Sequence, residues 1–171
     1  MCIRDRTAFS VLAEAKKIEA SGKPIIHLGL GQPDFKTPKH VVEAAKKALD
    51  DGHHGYVLSN GILECRQAVS RKIKKLYNQD VDPERIIIMP GGKPTMHYAI
   101  QCFGEPGVEI IHPTPAFPIY ESMINYTGST PVPYDLTKDK DLKFKAEEIL
   151  SLITEKTRLL ILINPNNPTG S

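Results

Sequence analysis

From residue 85 onward, short apolar runs alternate with longer stretches of helical periodicity, and this alternation constrains the fold more than any other feature of the chain. Arg85–Met89, Val108–His112, Thr130–Tyr134 and Leu159–Ile163 read as strands. Between them lie a helix from Pro94 to about Phe103, closed by Gly104, a second from about Ala116 to Tyr126, and a third over Ala146–Thr154. The runs at 85–89 and 159–163 are apolar on both faces, the pattern of strands covered on both sides. Strands alternating with helices in this way give an α/β fold: a mostly parallel sheet flanked by helices.

The first half of the chain is more helical. Thr7–Ala20 reads as a helix with Phe9, Leu12, Ala15 and Ile18 on one side, stopped at Ser21-Gly22. Ile25–Leu28 is a short strand candidate, followed by a loop rich in Gly and Pro over Gly29–Phe35. The next helix is punctuated by Thr37 as N-cap, Pro38 at the first helical position and Gly52 at the end. After Gly61, the residues Ile62, Cys65, Val69, Ile73 and Leu76 fall on one helical face.

Composition excludes several function classes. Lys and Arg number 22 against 20 Asp and Glu, a formal charge of +2, which leaves no electrostatic footprint for nucleic acid or an anionic membrane surface. No apolar run approaches the ~20 residues of a membrane span. The first six residues lack the apolar core of a secretory signal. Cys2, Cys65 and Cys102 are odd in number and widely spaced, so neither a disulfide framework nor a zinc site is expected. Cys65 and Cys102 fall in helices and are expected as buried thiols in a reducing, cytoplasmic compartment. His53-His54 reads as a surface turn before Gly55 rather than a metal site, since zinc asks for three or four ligands.

Three loops carry the chemistry, each directly after a strand. Met89-Pro90-Gly91-Gly92-Lys93-Pro94-Thr95 leads into a helix. Its glycines let backbone N–H groups approach a ligand, and a helix N-terminus attracts anions. On the residues alone it is either a phosphate cradle or a tight strand-to-helix turn; the Walker pattern does not fit, because Pro94 follows the lysine. His112–Tyr120 holds three prolines and Phe117, which is either a core aromatic or a platform for a planar ligand. Asn164-Pro165-Asn166-Asn167-Pro168-Thr169-Gly170 ends the last strand. Loops at the carboxyl ends of parallel strands are where such sheets bind ligands. A phosphate site, a flat aromatic and an amide converging there suit a planar, phosphorylated cofactor.

These loops, together with Leu28–Phe35, Gly55-Tyr56 through Gly61, and Glu64 and Arg66, make the chain resemble the class I/II aminotransferases of the aspartate aminotransferase superfamily, with the pyridoxal 5'-phosphate (PLP) fold type I. The resemblance runs from about Ile25 to Gly170, and the Asn-Pro-Asn-Asn-Pro-Thr-Gly motif is its most diagnostic part. It implies an N-terminal arm over residues 1–24 and a partial PLP-binding domain over 25–171. It implies that the Gly92-Lys93-Pro94 backbone holds the PLP phosphate, that Phe117 stacks on the pyridine ring, and that the Asn167 amide donates to the ring phenolate oxygen. Gly31 would line the substrate carboxylate site through its backbone. Tyr56 would reach the cofactor phosphate of the other subunit of a homodimer.

The sequence departs from the family at Cys65, usually Leu, at Gln32, often Glu, at Pro94, and at Phe117, where Trp or Tyr is common. The family's Schiff-base lysine, the aspartate that pairs with the pyridine nitrogen and the arginine that binds the substrate carboxylate are expected beyond Ser171. No catalytic residue is therefore assigned in these 171 residues. The expectation is an inactive N-terminal part of an enzyme exchanging an amino group between an aspartate-like α-amino acid and a 2-oxo acid. Another fold type I reaction (lyase, decarboxylase or synthase) and a non-catalytic α/β module binding a phosphorylated ligand are the alternatives.

Overall fold

The computed structural model describes residues 8–28, 31 and 33–171. The chain divides into two compact units, Met1–Tyr56 and Val57–Ser171. In the first unit, α1 spans Ala8–Ala20 and α2 spans Lys39–Asp50. The Ser21 hydroxyl donates to the Ile18 carbonyl at 2.6 Å and closes α1. Thr37 is not the cap of α2: Pro38 occupies that position, its ψ of 136° keeping it outside the helix, and no side chain caps the first turn. Ile25–Leu28 is not a strand; Ile26 and Leu28 are exposed, and no strand among the described residues offers its backbone a ladder.

The second unit begins with α3, Leu63–Tyr77, whose Cys65, Val69 and Ile73 are half-buried. Asn78 ends α3 in the left-handed conformation (φ 53°), and its N–H bonds to Lys74. Arg85–Met89 is likewise not a strand. A 3-10 turn occupies Pro83–Arg85, and residues 86–89 run extended without a strand partner among the described residues, leaving Ile87 exposed. The Ile88 N–H ties this segment to the loop before α3, donating to the Asn60 carbonyl at 3.1 Å. Gly61 lies so close beneath this segment that a Cβ there would stand 2.8 Å from the Ile88 side chain, so no other residue fits.

From residue 92 the α/β pattern holds: α4 (Gly92–Phe103), β1 (Glu109–Thr114), α5 (Ile119–Tyr126), β2 (Thr130–Asp135), α6 (Ala146–Leu150) and β3 (Thr157–Leu160). The helices at 116 and 146 are shorter than expected. Pro115 and Pro118 delay the start of α5, and α6 ends in a turn after Leu150. The sheet is all parallel, ordered β2-β1-β3, with Ile111 opposite Val132 on one side and Leu160 on the other.

Period-two alternation along β1 divides the core. Ile110 packs with Ile100 of α4, Val108 and Ile124 of α5, against Leu159 and Ile161. Ile111, one residue on, faces the opposite side with Tyr134, Leu136 and Ile149 of α6. Both isoleucines are fully buried, as expected of a central strand covered on both faces. Pro131 and Pro133 are tolerated because β2 is an edge: Thr130 donates toward β1, so the odd positions face outward, where no ladder donor is needed. β3 forms the other edge and lies earlier than the run at 159–163 expected to be a strand covered on both faces: Leu160 and, beyond the strand, Leu162 are exposed. Of the two thiols expected to be buried, Cys65 is half-buried and Cys102 exposed, since Cys102 lies off the Ile100 face that α4 turns to the core.

Candidate functional site

The three loops singled out in the sequence are joined pairwise in the second unit. Gly91 caps α4 with φ 97° and ψ 164°, a left-handed extended geometry that favours glycine. The space around it is open: a Cβ on Gly91 would meet nothing within 4 Å, and one on Gly92 only the Met96 methyl at 3.8 Å. The first turn of this 12-residue helix carries backbone N–H groups and the positive end of the helix dipole, the local chemistry of an anion site. The Lys93 ammonium lies over the Phe117 ring, 5.7 Å from its centroid, which brings the α4 N-terminus to the loop after β1. Phe117 is half-buried, two residues before α5 begins.

The third loop reaches the second through Asn166, whose Nδ2 donates to the Pro115 carbonyl at 3.2 Å and to Thr169 Oγ1 at 2.8 Å. Asn167, the neighbour, is exposed at the loop surface. Peptide bonds 114–115, 164–165 and 167–168 are cis. Both loops leave parallel strands at their carboxyl ends, β1 at Thr114 and β3 through residues 161–163. A helix N-terminus at Gly92, a cation over an aromatic face beside it, and an exposed amide are the group types that suit a planar, phosphorylated ligand.

Gly31 and Tyr56 belong to the first unit, where both are exposed. Among the described residues no group of three or more His, Cys, Asp or Glu side chains stands ready for a metal ion, and His53 and His54 are exposed after α2. No helix among them is long and apolar enough to cross a membrane.

Three polar residues that hold this region together were not assigned a role from sequence. Arg66 is buried on α3; its Nε donates to the Gly61 carbonyl (3.2 Å) and its Nη1 to the Pro83 carbonyl (3.0 Å) and the Glu84 carboxylate (2.8 Å). Asn166 is the one buried residue of its motif. His112 is buried in β1, its Nδ1 donating to the Pro113 carbonyl at 3.1 Å. Arg66 and Asn166 belong to motifs that carry the resemblance, but their holding contacts, like that of His112, show only through burial.

Burial pushes the His112 imidazole below its ordinary 6.5, against the opposing effects of the Pro113 hydrogen bond and Glu121. The unfolded chain then binds a proton that the folded chain resists. Stability is fully present above about pH 6.5 and falls as the pH drops toward the lower folded value. Urea unfolding at pH 7.5 and 5.5 should show a smaller loss on acidification for His112→Asn than for the natural chain. An equal loss would mean that His112 does not titrate on unfolding.

The comparisons with known proteins bear on the family and the fold. The model of the family "Aminotransferase class I and II" matches residues 23–171. The chain is 33% identical over 164 residues to the aspartate aminotransferase of Bacillus subtilis (strain 168), covering 96% of this chain and 42% of that protein. It is 41% identical over 145 residues to a probable aspartate aminotransferase of Methanocaldococcus jannaschii, covering 85% and 38%. Its fold superposes on the alanine aminotransferase of Pyrococcus furiosus with a TM-score of 0.90 at 30% identity, covering 98% of this chain and 43% of that one. The chain thus spans less than half the length of the relatives it matches. With a model match over nearly its whole length and a shared fold at that identity, this chain belongs to the class I and II aminotransferase family.

Proposed function

We propose that the chain forms the N-terminal part of a PLP-dependent aminotransferase that moves an amino group between an aspartate-like α-amino acid and a 2-oxo acid, in amino-acid metabolism. The observation that carries this reading is the meeting of the three motif loops, Lys93 over Phe117 and Asn166 on Pro115, at the carboxyl ends of β1 and β3. PLP, when bound, supplies an electron sink for charge developing at the substrate α-carbon.

The chain's own residues bind and orient. The Gly92-Lys93-Pro94 segment holds the phosphate, with N–H groups at Gly92 and Lys93 and a proline suited to the first turn. Phe117 offers an apolar face to the pyridine ring. The Asn167 amide donates to the ring's phenolate oxygen and favours its ionised form. Gly31 lines the substrate carboxylate site through its backbone. Tyr56 serves the phosphate of a second copy, which makes the enzyme a homodimer with shared sites. The unpaired thiols at Cys65 and Cys102 are in keeping with a cytoplasmic enzyme.

The test is an assay of the full-length protein with aspartate, then alanine, as donor and 2-oxoglutarate as acceptor. Glutamate formed in step with loss of the donor supports the reading. Release of ammonia or carbon dioxide from the donor without glutamate would instead indicate another fold type I reaction, and PLP binding without turnover a non-catalytic module.

A further inference from the structure

We infer that Asn166 is a positioning residue, which locks the loop bearing Asn167 onto the loop bearing Phe117 and so aims the Asn167 amide at the cofactor ring; this rests on the PLP reading above. Asn166 alone in its motif is buried, while Asn164, Pro165, Asn167 and Pro168 on either side are exposed. Its bonding capacity is almost fully spent on holding loops together. The backbone carbonyl accepts from the Gly170 N–H (2.8 Å), which curls the loop on itself. Both hydrogens of Nδ2 are used, one on Thr169 Oγ1 within the loop and one on the Pro115 carbonyl, 51 residues away in sequence.

The Pro115 carbonyl accepts only, so the amide must turn its nitrogen that way, and this orientation leaves Oδ1 buried without a partner among the described residues. A buried acceptor left unmet opposes folding. Asparagine at 166 is therefore not explained by stability alone; an interloop donor at this point is what it supplies. The adjacent Asn167 has its backbone fixed by that anchor, and Phe117 lies two residues beyond the carbonyl that receives it.

The test uses the full-length protein loaded with PLP, and reads the pH midpoint at which the bound cofactor's near-ultraviolet and visible absorbance changes. Asn167→Ala removes the donor to the ring oxygen and should raise this midpoint by about one unit. Asn166→Ala should raise it in the same direction and weaken PLP binding about tenfold. The double variant should shift no further than Asn167→Ala alone, because Asn166 acts through Asn167. Thr169→Val, which removes one of the two anchors, should give a smaller shift of the same sign and keeps the test open if Asn166→Ala fails to fold.

Additive shifts in the double variant would overturn the inference, as would an unmoved midpoint in Asn166→Ala or Thr169→Val accompanied only by a lower melting temperature. A natural protein that shows no bound-cofactor absorbance at any pH would overturn the PLP reading, and this inference with it. A normal natural protein with non-conforming variants overturns this inference alone.

Discussion

Purified as these 171 residues and supplied with PLP, aspartate and 2-oxoglutarate, the chain should form no glutamate above the buffer background, a deficit of at least about a millionfold against a working enzyme. Covalent PLP chemistry needs a lysine amine at the cofactor's aldehyde. Among the described residues of the three site loops the one amine is Lys93, which lies over the Phe117 ring at the N-terminus of α4. That is the place proposed for the phosphate, which hangs from a different ring carbon than the aldehyde. The resemblance expects the reactive lysine further along the chain. Glutamate production by the 171-residue chain, lost in Lys93→Ala, would show that Lys93 fills that role and would contradict the assignment of its loop to the phosphate.

The second large effect is expected at Arg66. Its guanidinium is buried and joins three points of the chain: the Gly61 carbonyl, the Pro83 carbonyl and Glu84. Arg66→Ala removes donors from two backbone carbonyls, at about 1–3 kcal/mol for each group left unsatisfied in a buried setting, and opens a void beneath α3. A total of about 3 kcal/mol is expected in urea unfolding, allowing for water reaching one of the carbonyls. Glu84→Gln should lose less, about 1 kcal/mol, because its carboxylate is mostly exposed and Arg66 keeps both carbonyl partners. The Arg66 contacts also hold Gly61 against Ile88, three residues before Gly91. The larger loss in Arg66→Ala should therefore come with weaker phosphate binding at the α4 N-terminus. Equal losses in the two variants would mean that the ion pair, rather than the carbonyl contacts, is what stabilises.

How far the sequence could be read follows from which interactions each feature depends on. β1 was legible because an apolar, β-branched run after Gly107 is nearly sufficient for a strand when a neighbour exists, and β2 because Gly128 ends the preceding helix and β-branched Thr130 and Val132 follow. Ile86–Met89 carries the same signal and is not a strand, since no partner strand lies beside it among the described residues. A run of isoleucines reports a preference for burial, whereas a strand is a pairing. The start of α2 differs from its sequence signal for a related reason. Thr37 has the chemistry of a cap, but the fixed ring of Pro38 holds the boundary one residue later.

In the site, Phe117 and the Gly91-Gly92-Lys93 turn were visible as residue types, and the structure adds that they touch. Asn166 and Asn167 were indistinguishable in that respect. One is buried and one exposed because of a hydrogen bond to Pro115, a contact that no local pattern encodes. Cys102 shows the same limit on a helix: lying in α4 says nothing of which face it occupies until Ile100 defines the buried one.

The most direct test of the central claim is a crystal structure of the full-length protein grown with PLP. The expected structure has the cofactor phosphate against the backbone N–H groups of Gly92 and Lys93, the pyridine ring stacked on Phe117, and the Asn167 amide within hydrogen-bond reach of the ring oxygen. A phosphate bound away from the α4 N-terminus, or a ring with neither Phe117 nor Asn167 beside it, would contradict it.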